Sequence, residues 1–195
     1  MNFQNNKKVC LDKIDKSVKA SIDSKILKLV DCINNNEHFY TTSSCSGRVV
    51  LQNIAESGRK NENLWLFVSH DIVEYSELLK TLETVSNIEK LSEGDEVWFR
   101  MEAAILHVAC DSLENAQKLV DFARNSGFRR SGIQSTNKKI LVEIVGSERM
   151  DIPVYYDAKL LISAYYVREM IRFANYKLNI NWAKIEKLKE FFRNY

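Results

Sequence analysis

Proline occurs once in the 195 residues, at Pro153, and glycine only six times. No Pro/Gly/Ser-rich stretch marks a linker, so a compact body is expected rather than modules on a string. No apolar run approaches the roughly 18 residues that span a bilayer. The segment from Met1 to Lys8 is polar and lacks the apolar core of a signal peptide. A soluble, intracellular protein follows as the expectation. A large charge of either sign is also missing: 28 Lys and Arg face 26 Asp and Glu, for a net of +2. Any nucleic-acid contact must therefore come from a local patch. The four cysteines, Cys10, Cys32, Cys45 and Cys110, and the three histidines, His38, His70 and His107, are scattered. No C-x-x-C spacing is present, so no metal is expected, and free thiols in a reducing cytoplasm are the natural reading. No two glycines stand in G-x-G spacing, and G-x-x-x-x-G-K-[ST] is absent. The common dinucleotide loop, the common methyltransferase nucleotide loop and the P-loop are thereby excluded.

What is present is a well-patterned 45% hydrophobic chain, enough to bury a real core. Ile22, Ile26, Leu29, Val30 and Ile33 recur at helical spacing after Ser21, and Asn34 to Asn36 stop the helix. Phe39 to Gln52 reads as extended around Gly47, and Leu64 to Ser69 as a second strand, with an exposed loop from Asn53 to Asn63 between them. Asp71 with Glu74 forms a capping-box pattern ahead of Tyr75, Leu78, Leu79 and Leu82. Val97 to Cys110 is one long extended segment. Ser112 caps a helix whose inward face is Leu113, Ala116, Leu119, Val120 and Ala123, and Gly127 ends it. Phe128 to Gln134 and Lys138 to Val145 suggest a hairpin. Leu160, Ala164, Val167, Ile171, Ala174 and Leu178 begin a helical rhythm that resumes at Ile185, Leu188 and Phe192 past Asn179 and Asn181.

These elements predict an α+β fold: a mixed, largely antiparallel sheet with packed helices and a helical C-terminal end, not a Rossmann-type methyltransferase. The expected division is a body over 1–155 and a C-terminal helical segment over 156–195 packed on it. Two helices are each followed by a Ser-Gly pair, Ser46-Gly47 and Ser131-Gly132, and then by a strand, which suggests an internal duplication with both pairs facing one site.

The densest polar cluster is Tyr40-Thr41-Thr42-Ser43-Ser44-Cys45-Ser46-Gly47-Arg48. Its hydroxyls can hold a carboxylate, ribose or phosphate, and Arg48 can fork onto an anion. A Ser/Thr-rich strand edge that satisfies itself is the plainer alternative. Cys45 as a nucleophile would need an adjacent base. His107 lies within Ile105-Leu106-His107-Val108, where a hydrogen-bonded core histidine is the commoner outcome. Glu102, entering an apolar strand, needs a partner or a function, and a neighbouring-strand cation would supply the partner. Arg129 and Arg130 beside Ser131-Gly132 make a second anion-binding group, or a solvated charge pair.

In order along the chain, these segments resemble the wybutosine-synthesis methyltransferases that act third in that pathway on phenylalanine tRNA. Asp15 to Asp23 is similar to the family's opening D-x-S-x-K-G-x-x-D. Thr41 to Arg48 matches T-T-S-S-C-[SA]-G-R, and Trp65 to His70 resembles the next strand. Glu102 with Ile105-Leu106-His107-Val108 resembles E-P-F-x-L-H-V, and Gly127 to Ile133 matches G-F-R-x-S-G-I. Ala20 stands where the family usually has Gly, and Ala103-Ala104 replaces Pro-Phe.

The resemblance implies methyl transfer from S-adenosylmethionine to N4 of the demethylated tricyclic base at position 37, in the anticodon loop of phenylalanine tRNA. It implies that Ser43, Ser44, Ser46 and Arg48 line the cofactor pocket, with Arg129 and Ser131 facing them. Asp23, His70, Glu102 and His107 are then the candidates for proton handling, and Lys16, Lys19 and Arg130 for tRNA phosphates. The competing reading is an RNA-binding module of the same fold without catalysis.

Overall fold

The computed structural model describes residues 2–12, 22–56, 59, 63–85, 94–157 and 159–195. Lys16, Lys19 and the expected cap Ser21 lie outside the described residues. The α+β class is as expected, and every described strand pair is antiparallel. The strands form two sheets rather than one. Their orders are β1-β5-β7-β6 and β3-β2-β4-β8-β9. The chain falls into two compact units. Unit 1 comprises Met1–Ser46, Ala103–Ser147 and Asn181–Tyr195, and unit 2 comprises Gly47–Glu102 and Glu148–Ile180.

The Phe39 to Gln52 stretch is where the first sheet change occurs. β1 (Phe39–Cys45) pairs with β5 (Ile105–Cys110), whereas β2 (Arg48–Ile54) pairs with β3 (Leu64–Ser69) and β4 (Glu96–Glu102). Between β1 and β2 stands Gly47 with φ 90°, a backbone state that a Cβ disfavours. The expected long strand Val97 to Cys110 is likewise two strands in different sheets, broken at Ala103-Ala104. The suggested duplication does not extend to pairing. β3, the second strand of the first half-unit, lies in the five-stranded sheet, while its counterpart β7 (Ile140–Val145) pairs with β6 (Gly132–Ser135) in the other.

Unit 1 lays α2 (Ser24–Asn35), α4 (Leu113–Asn125) and the last turns of α5 (Ala164–Asn194) around one core. Ile26, Leu29, Val30 and Ile33 from α2 meet Leu106, Val108, Val142 and Ile144 from the sheet and Ile185, Leu188 and Phe191 from α5. α4 follows local rules closely. Ser112 Oγ accepts from the Asn115 N–H at 3.2 Å, and Ala116, Leu119, Val120 and Ala123 are buried. Leu113, expected on the inward face, is 54% exposed, and burial in this helix begins at Asn115 and Ala116. At the other end Gly127 takes φ 104°, so that the Phe128 N–H reaches back to the Ala123 carbonyl at 2.9 Å and Phe128 is buried behind it.

α1 (Phe3–Leu11) rests its Phe3 ring on Tyr40, with ring centroids 5.3 Å apart. Beside the core, His38 Nδ1 lies 2.6 Å from Asp111 Oδ2, and Asn115 donates to Asp111 Oδ1 at 2.8 Å. The Cys110 thiol is pushed up to about 12 by burial and by the neighbouring Asp111 charge, so it stays protonated and inert.

In unit 2, β2 is an interior strand between β3 and β4, with Val49 to Asn53 buried. α3 spans Tyr75–Val85 and buries Leu78, Leu82 and Val85. It starts three residues later than the capping-box pattern suggests, at Tyr75 rather than Ile72. Asp71 Oδ1 instead accepts from the adjacent Ile72 N–H at 2.9 Å. Both backbone groups of Val73 are taken by the Asn175 side chain, at 3.0 Å and 2.9 Å, which holds that stretch out of the helix. The strands β8 (Met150–Tyr156) and β9 (Lys159–Leu160) complete the sheet, so Leu160 is a strand residue and 48% exposed rather than the start of the helical stripe.

α5 is one continuous helix of 31 residues through Asn179 and Asn181. Asn181 is fully buried, and its Oδ1 accepts from the Ala104 N–H at 2.9 Å, where the chain enters β5. The polar interruption in the pattern is therefore a hydrogen-bonding position. Asn181→Leu orphans that N–H and is expected to lower stability by about 2 kcal/mol in urea titrations.

Burial pushes the Asp111 carboxyl up, but hydrogen bonds with His38, Asn115 and Ser112 and the His38 charge outweigh it and hold the group below its usual range. A carboxylate depressed in the folded state stabilises the fold above its unfolded value, near pH 4, and ceases to do so as pH falls through the folded value. Asp111→Asn is expected to cost about 1 kcal/mol at pH 7. The gap to the parent chain should close steadily as the urea midpoint is measured from pH 4 downward.

Candidate functional site

In unit 1 the strand register gathers a polar row on the sheet face opposite the core. Leu106 and Val108 alternate with His107 along β5, and Val142 and Ile144 alternate with Glu143 along β7. The core residues point one way, so His107 and Glu143 point the other. The two are register partners, and Ser43 and Gly132 are the next partners outward on the two edge strands. Ser43 Oγ lies 2.8 Å from His107 Nδ1, and His107 Nε2 lies 3.1 Å from Glu143 Oε2. Gln134 Nε2 donates to that same carboxylate oxygen at 2.9 Å.

Ser43 reaches this face through a bulge. Thr41 opposes Val108 but Ser43 opposes His107, so Thr42 is the extra residue, and its hydroxyl donates to the His107 carbonyl at 3.3 Å. Beyond the bulge Ser44 opposes Leu106, which places it on the other face from Ser43, half-buried.

Two of the serines assigned by resemblance to the cofactor donate their hydroxyls to partners inside unit 1. The Ser46 N–H and hydroxyl both donate to Asp23 Oδ2, at 2.9 Å and 3.2 Å, and both residues are buried. Ser131 Oγ donates to the Phe128 carbonyl at 2.7 Å, and the Ser131 carbonyl accepts from Arg124 Nε at 3.0 Å. Ser46 follows edge strand β1 and Ser131 precedes edge strand β6, with β5 and β7 between those strands. At strand spacing the two edges stand about 14 Å apart. Arg129 and Arg130 are exposed in the turn leading into β6.

In unit 2, Arg48 and Glu102 face each other across β2 and β4. Arg48 Nε lies 2.6 Å from Glu102 Oε2, and the guanidinium sits 4.8 Å from the centroid of the Trp65 ring. This pair gives Glu102 its neighbouring-strand cation. Both side chains are about one-third exposed, so the pair is open to an incoming molecule. His70 is half-buried in the connection from β3 to α3.

Sequence reasoning missed Glu143, Gln134 and Trp65. Glu143 sits in Ile140-Leu141-Val142-Glu143-Ile144-Val145, where alternation already sets it on the face away from Val142 and Ile144. That alternation was the available signal. Its pairing with His107 depends on which strands are neighbours, which no local pattern encodes.

Set against known proteins, residues 5–194 match the family model described as Methyltransferase TYW3. A protein of Thermococcus sibiricus named tRNA(Phe) 7-((3-amino-3-carboxypropyl)-4-demethylwyosine(37)-N(4))-methyltransferase is 35% identical over 191 residues, covering 97% of this chain and 93% of that one. The tRNA wybutosine-synthesizing protein 3 homolog of Danio rerio is 35% identical over 97% of this chain and 74% of its own length. Among solved structures, PH1069 of Pyrococcus horikoshii superposes with a TM-score of 0.86 at 32% identity, over 98% of this chain and 96% of that one. With a family model spanning nearly its whole length and these relatives at such identity, the chain belongs to the TYW3 methyltransferase family.

Proposed function

We propose that this chain methylates N4 of the 4-demethylwyosine-type base at position 37 of phenylalanine tRNA, with S-adenosylmethionine as donor. Family membership over residues 5–194 carries this reading, supported by the names of the archaeal relatives. Bound S-adenosylmethionine would supply an electrophilic methyl on a sulfonium. Its other groups are a carboxylate, an ammonium, ribose hydroxyls and a purine. Unit 2 offers matching partners: Arg48 for the carboxylate, Glu102 for a hydroxyl or the ammonium, and Trp65 for an aromatic face. Arg48 engages Glu102 through Nε, so its outer nitrogens remain for a planar anion. Positioning supplies most of the rate in such an in-line displacement.

The target base lies in the anticodon loop, where it can be unstacked into a pocket. Exposed Arg130, with Lys16 and Lys19, is assigned to phosphates of that loop. No helix among the described residues is long and apolar enough to cross a membrane.

The test is nucleoside mass spectrometry of phenylalanine tRNA carrying the demethylated base, incubated with the protein and S-adenosylmethionine. Appearance of the N4-methyl nucleoside is expected, and unchanged tRNA refutes the reading. Arg48→Lys keeps the charge but loses the fork. It is expected to weaken S-adenosylmethionine binding about 10- to 100-fold by calorimetry, with an unchanged circular dichroism spectrum.

A further inference from the structure

We propose that Ser43, His107 and Glu143 form a proton relay that takes the proton shed by the acceptor nitrogen, with Glu143 as the residue that sets the histidine tautomer. The proposal rests on the methyl-transfer reading above and goes beyond it by naming the base and its support. Glu143 Oε2 receives both His107 Nε2 and the Gln134 amide. An ionised carboxylate has only lone pairs to offer, so Nε2 carries the hydrogen. In the neutral ring Nδ1 is then a bare lone pair, and it faces the Ser43 hydroxyl at 2.8 Å. Ser43 spends its one proton on Nδ1, and its own lone pairs remain available on an exposed residue at the sheet edge. The hydroxyl is thus oriented to accept.

Protons balance along this chain. The nitrogen that gains the methyl releases one N–H proton to Ser43 Oγ. The Ser43 proton passes to His107 Nδ1. The resulting imidazolium carries the positive charge that leaves the sulfonium with the methyl, and it sits against the Glu143 carboxylate. No other reactant is consumed.

Three observations favour a working array over a satisfied surface. The row is set among half-buried apolar neighbours, with Ile105 beside His107 on β5 and Leu141 and Val145 beside Glu143 on β7, where a Thr or Val would pair at lower cost. His107 and Glu143 are 24% and 27% exposed, screened from bulk water yet open to a ligand. Both edge strands carry bulges at this row: Thr42 is the extra residue in β1, and Gln134 is the extra residue in β6, where Ile133 opposes Val142 but Ser135 opposes Leu141. Each bulge delivers a member of the array, Ser43 on one side and the Gln134 amide on the other. Bulges recur where a side chain is re-aimed for use.

The experiment pairs steady-state methyl transfer with ring-nitrogen NMR of His107, on the full chain. Glu143→Gln is nearly isosteric. It is expected to lower kcat about 10- to 100-fold, with KM for tRNA and S-adenosylmethionine binding unchanged. Ser43→Ala should lower kcat likewise while leaving the tautomer alone. In the parent chain the NMR spectrum should report hydrogen on Nε2, and that signature should weaken in Glu143→Gln. Hydrogen on Nδ1 in the parent chain, or parent-like kcat in Glu143→Gln, overturns the relay. A parent chain that leaves the tRNA unmethylated refutes the substrate reading instead, while the NMR result still decides the relay geometry.

Discussion

Two buried side-chain acceptors hold unit 1 together at the points where its strands stop following the sheet. Asp23 receives the Ser46 N–H just past the end of β1, and Asn181 receives the Ala104 N–H just before the start of β5. Both N–H groups have left the ladder, and both lie out of reach of water. A buried unpaired amide costs on the order of 1–3 kcal/mol. Paying that cost twice would undo the register of β1 against β5, and with it the alignment of Ser43 on His107. The polar face thus depends on residues that never appear on it. Asp23, one of the proton-handling candidates by resemblance, accepts both the Ser46 N–H and the Ser46 hydroxyl through Oδ2.

Each unit carries its own polar group with its own character. In unit 2 Arg48 and Glu102 form an ion pair beside an aromatic ring, chemistry suited to gripping a charged, partly aromatic molecule. In unit 1 the row is hydroxyl, imidazole and carboxylate, chemistry suited to moving a proton. The Thr41 to Arg48 block contributes to both, because it contains the end of one sheet's edge strand and the start of an interior strand of the other sheet. Its density of small side chains has a structural share too. Ser46 and Gly47 make the sharp departure possible, and Thr42 fills a bulge.

What could be read in the sequence was what local chemistry decides. α4 shows its cap, most of its stripe and its terminating glycine because each depends on residues within one or two turns. The hairpin of β6 and β7 was legible for the same reason. The two sheet changes were not, since Val97 to Cys110 is mostly apolar and extended without Gly or Pro, and nothing in it states that its halves pair with different partners. The start of α3 was misjudged because the Asn175 side chain, 102 residues away along the chain from Val73, competes for backbone that a capping box would otherwise claim. In the two candidate groups, Ser43, His107, Arg48 and Glu102 stood out by type and setting. Glu143 and Gln134 did not, since a Glu in an alternating strand is ordinary until its neighbour across the sheet is known.

α5 has one more consequence, for the order of events during synthesis. The core of unit 1 opens with Ile26 and closes with Ile185, Leu188 and Phe191, so its first and last members are separated by nearly the whole chain. The Phe39 ring packs against Phe191, Phe192 and Tyr195 within 6.1 Å. While a ribosome is still adding those aromatics, β1 and α2 have no lid, and the sheet face meant for the core stays wet. Unit 1 must therefore wait for the final helix to emerge before it can consolidate, and the nascent chain carries an open apolar surface until then.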